Sequence, residues 1–373
     1  MSDEEAGGGL TYAASGVDYA AIDPAKVLAQ RAAAATAGML ARWGMAEVAG
    51  SRGESAYVWA ENDAYRVLVL ECLGTKNLVA DAVRPITGRT HYDAIAQDTV
   101  AMIVNDVAAV GAQPQVVNAY WAIGDSAWFE DRERAADLVT GWAEACRRAG
   151  AAWGGGETPA LSGVVAPGAI DLAGACVGLI RPKSRLALGE RLAPGDAVVL
   201  LESNGIHANG LSLARRIARR LEDGYATDIG GGMGYGEALL QPTHLYARIV
   251  ADVLDAGVDV RYMSNITGHG WRKLMRARRD LRYVMHFVPP VGPLFRFLCD
   301  RGELTMEEAY GSLNMGAGFA VYCPAGSVGA VVAVAADHGI EAWPAGRVED
   351  GRREVVIEPL GLTFGGHSLE VRA

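Results

Sequence analysis

A two-domain α/β or α+β architecture is the fold class this sequence predicts, and three observations carry the prediction. The chain has 373 residues, enough for two ordinary domains that each bury a core. Half of the residues are apolar and 21% are charged, with 47 glycines, the balance of a turn-rich globular protein. Strand-like and helix-like segments alternate through both halves, with a change of composition over Arg181–Gly195. The division expected is 1–180 and 181–373.

The elements follow in order. Asp23 and Pro24 suit an N-cap and first-turn proline of an alanine-rich helix running to about Trp43. Strands are expected at Ala56–Ala60 and Tyr65–Cys72. Tyr92–Gly111 carries Ile95, Thr99, Met102, Ile103 and Asp106 at helical spacing and is closed by Gly111 and Pro114. A strand at Gln115–Ala122, a helix at Glu130–Gly150 and a strand at Asp171–Ile180 complete the first half. In the second half, strands are expected at Ala197–Leu201, Arg282–Phe287, Gly318–Cys323 and Arg353–Pro359. Helices are expected at Asn209–Leu221, Gly236–Leu254, His269–Arg278 and Gly326–His338, and Asp228–Gly236 reads as a flexible glycine-rich connection.

Charge and cysteine usage exclude several classes of function. A formal net charge of −10 opposes broad contact with nucleic acid or an anionic membrane, so an anionic ligand needs a local site. Lys26, Lys76, Lys183 and Lys273 are the only lysines. Cys72, Cys146, Cys176, Cys299 and Cys323 stand singly, which suits reduced thiols in the cytoplasm. The acidic opening is unlike a secretory signal, and no apolar run reaches the roughly 18 residues of a membrane helix.

Four segments carry chemistry. LECLGTK at Leu70–Lys76 runs a strand into a Gly-Thr-Lys turn, where Gly74, Thr75 and Lys76 can meet phosphate while Glu71 holds a divalent cation. It is not a Walker A loop, and a plain turn is the bland reading. Asp98 and Asn105 are seven apart, about two helical turns, and fall on one side of an otherwise apolar helix that also bears Asp106. A buried carboxylate there needs a partner or a metal; helix capping or solvent contact is the alternative. GGGETPALSG at Gly154–Gly163 is a glycine-rich loop with Glu157 as a possible ligand, or simply a surface loop. Leu201–Arg215 places Ser203, Asn204, His207 and Asn209 before a helix, a fair anion site, though a lone histidine such as His207 is more often structural than catalytic.

These segments resemble the motifs of the aminoimidazole ribonucleotide synthetase (phosphoribosylformylglycinamidine cyclo-ligase) family in order and spacing. TYAASGVD at Thr11–Asp18 resembles its opening motif, LECLGTK its DGVGTK loop, and Asp98–Pro114 its D-x-VAM-x-VND helix. GGGETPALSG, SNGIHANGLSLAR, LLQPTHLY, NITGHG and LNMGAGF resemble its later blocks, so the likeness runs from Thr11 to about Arg347. It implies a first domain that binds ATP and Mg²⁺ and forms a β-barrel across a homodimer, and a second α/β domain that binds substrate. Carried over, the metal ligands are Glu71, Asp98, Asp106 and Glu157, with Gly74, Thr75, Lys76 and Asn105 at the triphosphate. Substrate phosphate and ribose fall near Ser203, Asn204, His207, Asn209, Thr267 and Gly268, and Lys76, His207 and His269 are candidate catalytic groups. The reaction implied is phosphorylation of the formyl oxygen of formylglycinamidine ribonucleotide by ATP, then ring closure with loss of phosphate. Glu71 and Cys72 depart from the family's Asp-Gly, His269 from a glycine, and SRGES at Ser51–Ser55 from a glycine-rich loop. A relative that phosphorylates another small amide, amine or phosphate, or a non-catalytic paralogue, are the alternatives.

Overall fold

The computed structural model describes residues 19–369. The TYAASGVD motif therefore lies outside the described residues. Two mixed sheets organise the chain. The first joins β1 (Ala46–Glu47), β2 (Tyr57–Glu61), β3 (Ala64–Cys72), β4 (Gln113–Ile123), β5 (Ala152–Glu157) and β6 (Ile170–Ile180) in the order β1-β2-β3-β6-β4-β5. The second joins β7 (Asp196–Glu202), β8 (Tyr262–Asn265), β9 (Leu281–Met285), β10 (Ala317–Pro324), β11 (Ala342–Asp350), β12 (Glu354–Ile357) and β13 (Leu362–Gly365) in the order β13-β12-β9-β11-β7-β10-β8. Among the described strands β4–β5 and β9–β12 pair in parallel, and the other pairs are antiparallel.

The helices are α1 (Tyr19–Ala34), α2 (Asn77–Thr87), α3 (Tyr92–Ala108), α4 (Arg132–Ala149), α5 (Leu211–Ala218), α6 (Tyr235–Leu239), α7 (Tyr246–Asp255), α8 (Pro293–Gly302), α9 (Met306–Ser312) and α10 (Val328–Asp337). No described helix is long and apolar enough to cross a membrane.

Helix α3 positions the site. From Val100 to Ala108 every residue is buried, because α3 lies on the inner face of the first sheet against β3 and β6 while α4 and α7 cover it. Strand β3 alternates as a half-buried strand should. Val67 and Val69 point inward with Glu71 next in that series, whereas Leu68 is 42% and Leu70 73% exposed on the opposite face.

Three expected elements form differently. The segment Gly236–Leu254 is two helices rather than one: Pro242 supplies no N–H and α6 stops at Leu239, leaving Gln241–Leu245 extended. The glycine-rich start of Gly154–Gly163 is strand β5, whose glycines let it lie against β4; a Cβ on Gly156 would meet the Ala119 carbonyl oxygen at 2.2 Å. The first helix starts at Tyr19, contains Pro24 and ends at Ala34, and a 3₁₀ segment continues to Trp43. Helix α2 directly after Lys76 was not foreseen, since Pro85 reads as a breaker; it stands in the last turn, before Gly88 caps the helix in the left-handed conformation.

Candidate functional site

The helical spacing of Asp98 and Asn105 does place both on one face of α3, and that face looks onto the extended segment between α6 and α7. The Thr243 N–H and hydroxyl donate to Asp98 Oδ1 at 2.8 and 2.5 Å, and Asp98 Oδ2 lies 2.7 Å from Lys76 Nζ. Lys76 also donates to the Gln241 carbonyl at 2.9 Å. Asn105 donates to the His244 carbonyl at 2.9 Å and accepts from the Tyr246 N–H at 2.8 Å, while Gln97 donates to the Thr243 carbonyl at 2.8 Å. A non-helical segment inside the protein must have its backbone groups satisfied, and α3 does this by side chains.

Lys76 and Asp98 are both fully buried. Burial pulls the ammonium below its ordinary value and pushes the carboxyl above its own, and the opposite charge of the partner opposes each shift. Lys76, Asp98 and Asn105, expected at a metal triphosphate, face protein partners in this structure. The polar atoms of these residues engage protein groups, and they clamp the second half of the chain onto α3.

A second polar cluster lies around Asp106. Asn265 on β8 donates to Asp106 Oδ1 at 2.7 Å, and Glu71 hydrogen-bonds Asp106. Burial, and then the Asp106 carboxylate, push Glu71 up to about 7, against Lys273 and Arg276. Lys273 donates to the Thr267 hydroxyl, and Ser264 donates to its carbonyl at 3.0 Å. Burial and the neighbouring Arg276 lower the Lys273 ammonium. Arg276 donates to the Gly53 carbonyl at 2.9 Å and lies 3.7 Å from Glu54, whose carboxylate also accepts from Tyr262 at 3.0 Å. The SRGES segment thus anchors Arg276 in this cluster.

The remaining predicted residues scatter. Gly74, at φ +78°, and Thr75 form the turn from β3 into α2. Glu157 stands exposed at the end of β5. Asn209 accepts from the Gly268 N–H at 3.0 Å, which ties the Asn209 loop to the Thr267–Gly270 turn. His269 sits in that turn at φ +73°, and burial followed by Lys273 lowers its imidazole to about 3. His207 is buried at φ +59° and is also held neutral by burial; its Nε2 has no hydrogen-bond partner among the described residues. Ser203 and Asn204 open onto a cleft in the second half.

Of the expected metal ligands, only Glu71 and Asp106 come together, and among the described residues no group of three or more His, Cys, Asp and Glu side chains is placed to hold a metal. Two adjacent carboxylates nonetheless fit Mg²⁺, which commonly keeps several waters and takes one or two carboxylates beside substrate phosphates. Asp98 lies in the ion pair with Lys76, and Glu157 is exposed at the end of β5. Sequence reasoning missed Lys273, Arg276 and Glu54. One signal was available, since Lys273 is one of only four lysines and stands three residues after the NITGHG motif.

Because Glu71 is raised above its unfolded value, the native state binds its proton more tightly. The stability this contributes is present below about pH 4.5 and is lost as pH rises toward 7. In metal-free buffer, the melting temperature of the wild type is expected to fall relative to Glu71→Gln between pH 5 and 8. Parallel melting curves for the two proteins would contradict this environment for Glu71.

Family models for the N-terminal and C-terminal domains of AIR synthase related proteins match residues 53–180 and 193–358. The chain belongs to the AIR synthase related family. Relatives of this family with curated descriptions include the phosphoribosylformylglycinamidine cyclo-ligase of Symbiobacterium thermophilum, 37% identical over 94% of this chain and 98% of the relative. The enzyme of the same description from Thermosynechococcus vestitus is 32% identical over 94% of this chain and 99% of its own. Among solved structures of the fold, hydrogenase maturation protein HypE in complex with ATP aligns with a TM-score of 0.56 at 20% identity, over 72% of this chain and 78% of its own. AaThiL complexed with AMPPCP and TMP aligns at 0.57 and 14% identity, over 83% and 89%.

Proposed function

We propose that this AIR synthase family member converts formylglycinamidine ribonucleotide and ATP to aminoimidazole ribonucleotide, ADP and phosphate, in the cytoplasm. The single observation that carries the proposal is its near full-length match, at 37% identity, to a protein described as a phosphoribosylformylglycinamidine cyclo-ligase. The test is to incubate the purified protein with ATP, Mg²⁺ and formylglycinamidine ribonucleotide. The aminoimidazole product is expected in step with ADP; ATP turnover only with a different amide or amine would refute it.

In this reading, residues 1–180 hold ATP and residues 181–373 hold the substrate. The cluster at Glu71, Asp106, Lys273 and Arg276 is where the chain's own groups serve phosphoryl transfer. Glu71 and Asp106 would hold Mg²⁺, which would supply charge neutralisation at the phosphates. Lys273 and Arg276 add positive charge of the protein's own beside the carboxylates. His269 lies on the adjoining turn, and with burial and Lys273 lowering its imidazole to about 3 it stays neutral there. Lys76, Asp98 and Asn105 act at one remove, by fixing the two halves so that these groups stay aligned.

The chain works as a homodimer through the outer face of the first sheet. Leu68, Leu70, Val116 and Val177 are exposed there at 42%, 73%, 40% and 36%. Leu68 pairs with Val177 and Val177 with Val116, so three of the four form a row across β3, β6 and β4. A second copy laid on this face closes a barrel from two sheets and covers an apolar patch of the kind that marks interfaces. Leu70→Glu is expected to shift the protein from dimer to monomer in sedimentation at micromolar concentration. An unchanged dimer would place the interface elsewhere.

A further inference from the structure

A cleft of about 530 Å³ opens in the second half where the C-terminal end of β7 meets the Asp228–Gly234 loop and the start of α8. The loop, expected to be a flexible connection, is a folded flap: the Ile229 N–H donates to the Met233 carbonyl at 3.0 Å, and Asp228 bridges to Gly234. The cleft size lies within the roughly 300–1,000 Å³ of small-molecule sites.

Its lining has an unusual polarity. Among the described residues Glu202 and Glu341 are its only charged ones, and no lysine, arginine or histidine lines it. Asn204 turns its amide N–H to the Pro242 carbonyl, which leaves Oδ1 buried and without a hydrogen-bond partner. The Ser203 hydroxyl donates to Asn314 at 2.7 Å, so toward the cleft it too presents lone pairs. The charged groups in this wall are therefore both acceptors, set among Met233, Phe295 and Trp343, while Gln241 turns its amide N–H to the Glu237 carbonyl at 3.4 Å. A phosphate placed there would meet two carboxylates and no compensating cation, at an energetic cost.

We propose that this cleft binds a planar group rich in N–H donors, an amidinium or an amino-substituted heterocycle, and not a phosphate. The flat apolar faces of Trp343 and Phe295 suit a planar ring, while the Glu202 and Glu341 carboxylates suit its donors. This reassigns Ser203 and Asn204 from the phosphate end of a ligand to its nitrogen-bearing end. The ligand class rests on the lining and not on the reaction proposed above; within that reaction the amidine of formylglycinamidine ribonucleotide is the group that fits.

The test is calorimetry on the full chain without ATP, using benzamidine as a planar amidinium, benzoate as the anion of the same shape, and inorganic phosphate. One benzamidine per chain is expected to bind saturably, and neither benzoate nor phosphate is expected to displace it. Glu341→Gln should weaken benzamidine at least fivefold. Met233→Ala, on the flap and 44% exposed, should weaken it at least twofold. Both positions are exposed and outside the core, so the fold should survive either change. Absence of saturable binding, affinities unchanged in both variants, or displacement by phosphate would overturn the assignment. Because no turnover is measured, failure here leaves the cyclisation proposal standing, and failed cyclisation leaves this site standing.

Discussion

Replacing Lys76 by methionine is expected to destabilise the protein by about 3–5 kcal/mol, the usual cost of breaking a buried ion pair from one side. The reason is what remains. Asp98 would stay fully buried with its Oδ2 facing the lost ammonium, and the two bonds from Thr243 satisfy only Oδ1. The Gln241 carbonyl would lose its donor as well. Adding Asp98→Asn to Lys76→Met removes the stranded charge while keeping an oxygen for Thr243, so the double variant should recover a large part of the loss. Urea denaturation of the four proteins forms a cycle that isolates the pair. An ordinary stability for Lys76→Met, together with lost ATP affinity, would show instead that Lys76 leaves Asp98 to bind phosphate.

The second large effect is expected at Asp106. Asp106→Asn keeps an oxygen for the Asn265 amide, so the fold should change little, yet it removes the charge that faces Glu71 and Lys273. If Glu71 and Asp106 hold Mg²⁺, turnover should fall at least 100-fold, equal to about 2.7 kcal/mol in the barrier, with a raised Mg²⁺ requirement. Asp98→Asn should do the reverse, lowering stability while leaving the Mg²⁺ requirement near that of the wild type. Steady-state kinetics across a Mg²⁺ series, with melting curves on the same preparations, separates the two carboxylates. Equal Mg²⁺ dependence in Asp106→Asn and wild type would remove Asp106 from the metal.

Much of this division was legible in the sequence, and the rest was not for physical reasons. The apolar spacing of α3 and the strand character of β3 are local, so both elements follow from the sequence pattern. The seven-residue spacing correctly put Asp98 and Asn105 on one face. It could not say what that face meets, because Thr243 and Tyr246 lie 145 and 141 residues away in sequence. The extended segment that receives them depends on Pro242, whose effect inside an otherwise helical pattern was read as a continuous helix. Strand β5 was hidden because glycine signals a loop from sequence, whereas here it permits close approach to β4. Lys273 and Arg276 were hidden by their setting, since a basic pair on a short helix ordinarily faces solvent.

The account stands most directly on where the transferred phosphoryl group goes. Formylglycinamidine ribonucleotide labelled with ¹⁸O at its formyl oxygen should be turned over with ATP and Mg²⁺, and the released phosphate examined by mass spectrometry. If the formyl oxygen is phosphorylated and then expelled as the ring closes, one labelled oxygen appears in each phosphate formed. Phosphate carrying no label while the aminoimidazole product accumulates would contradict that mechanism, and phosphate formed without any such product would contradict the proposed function itself.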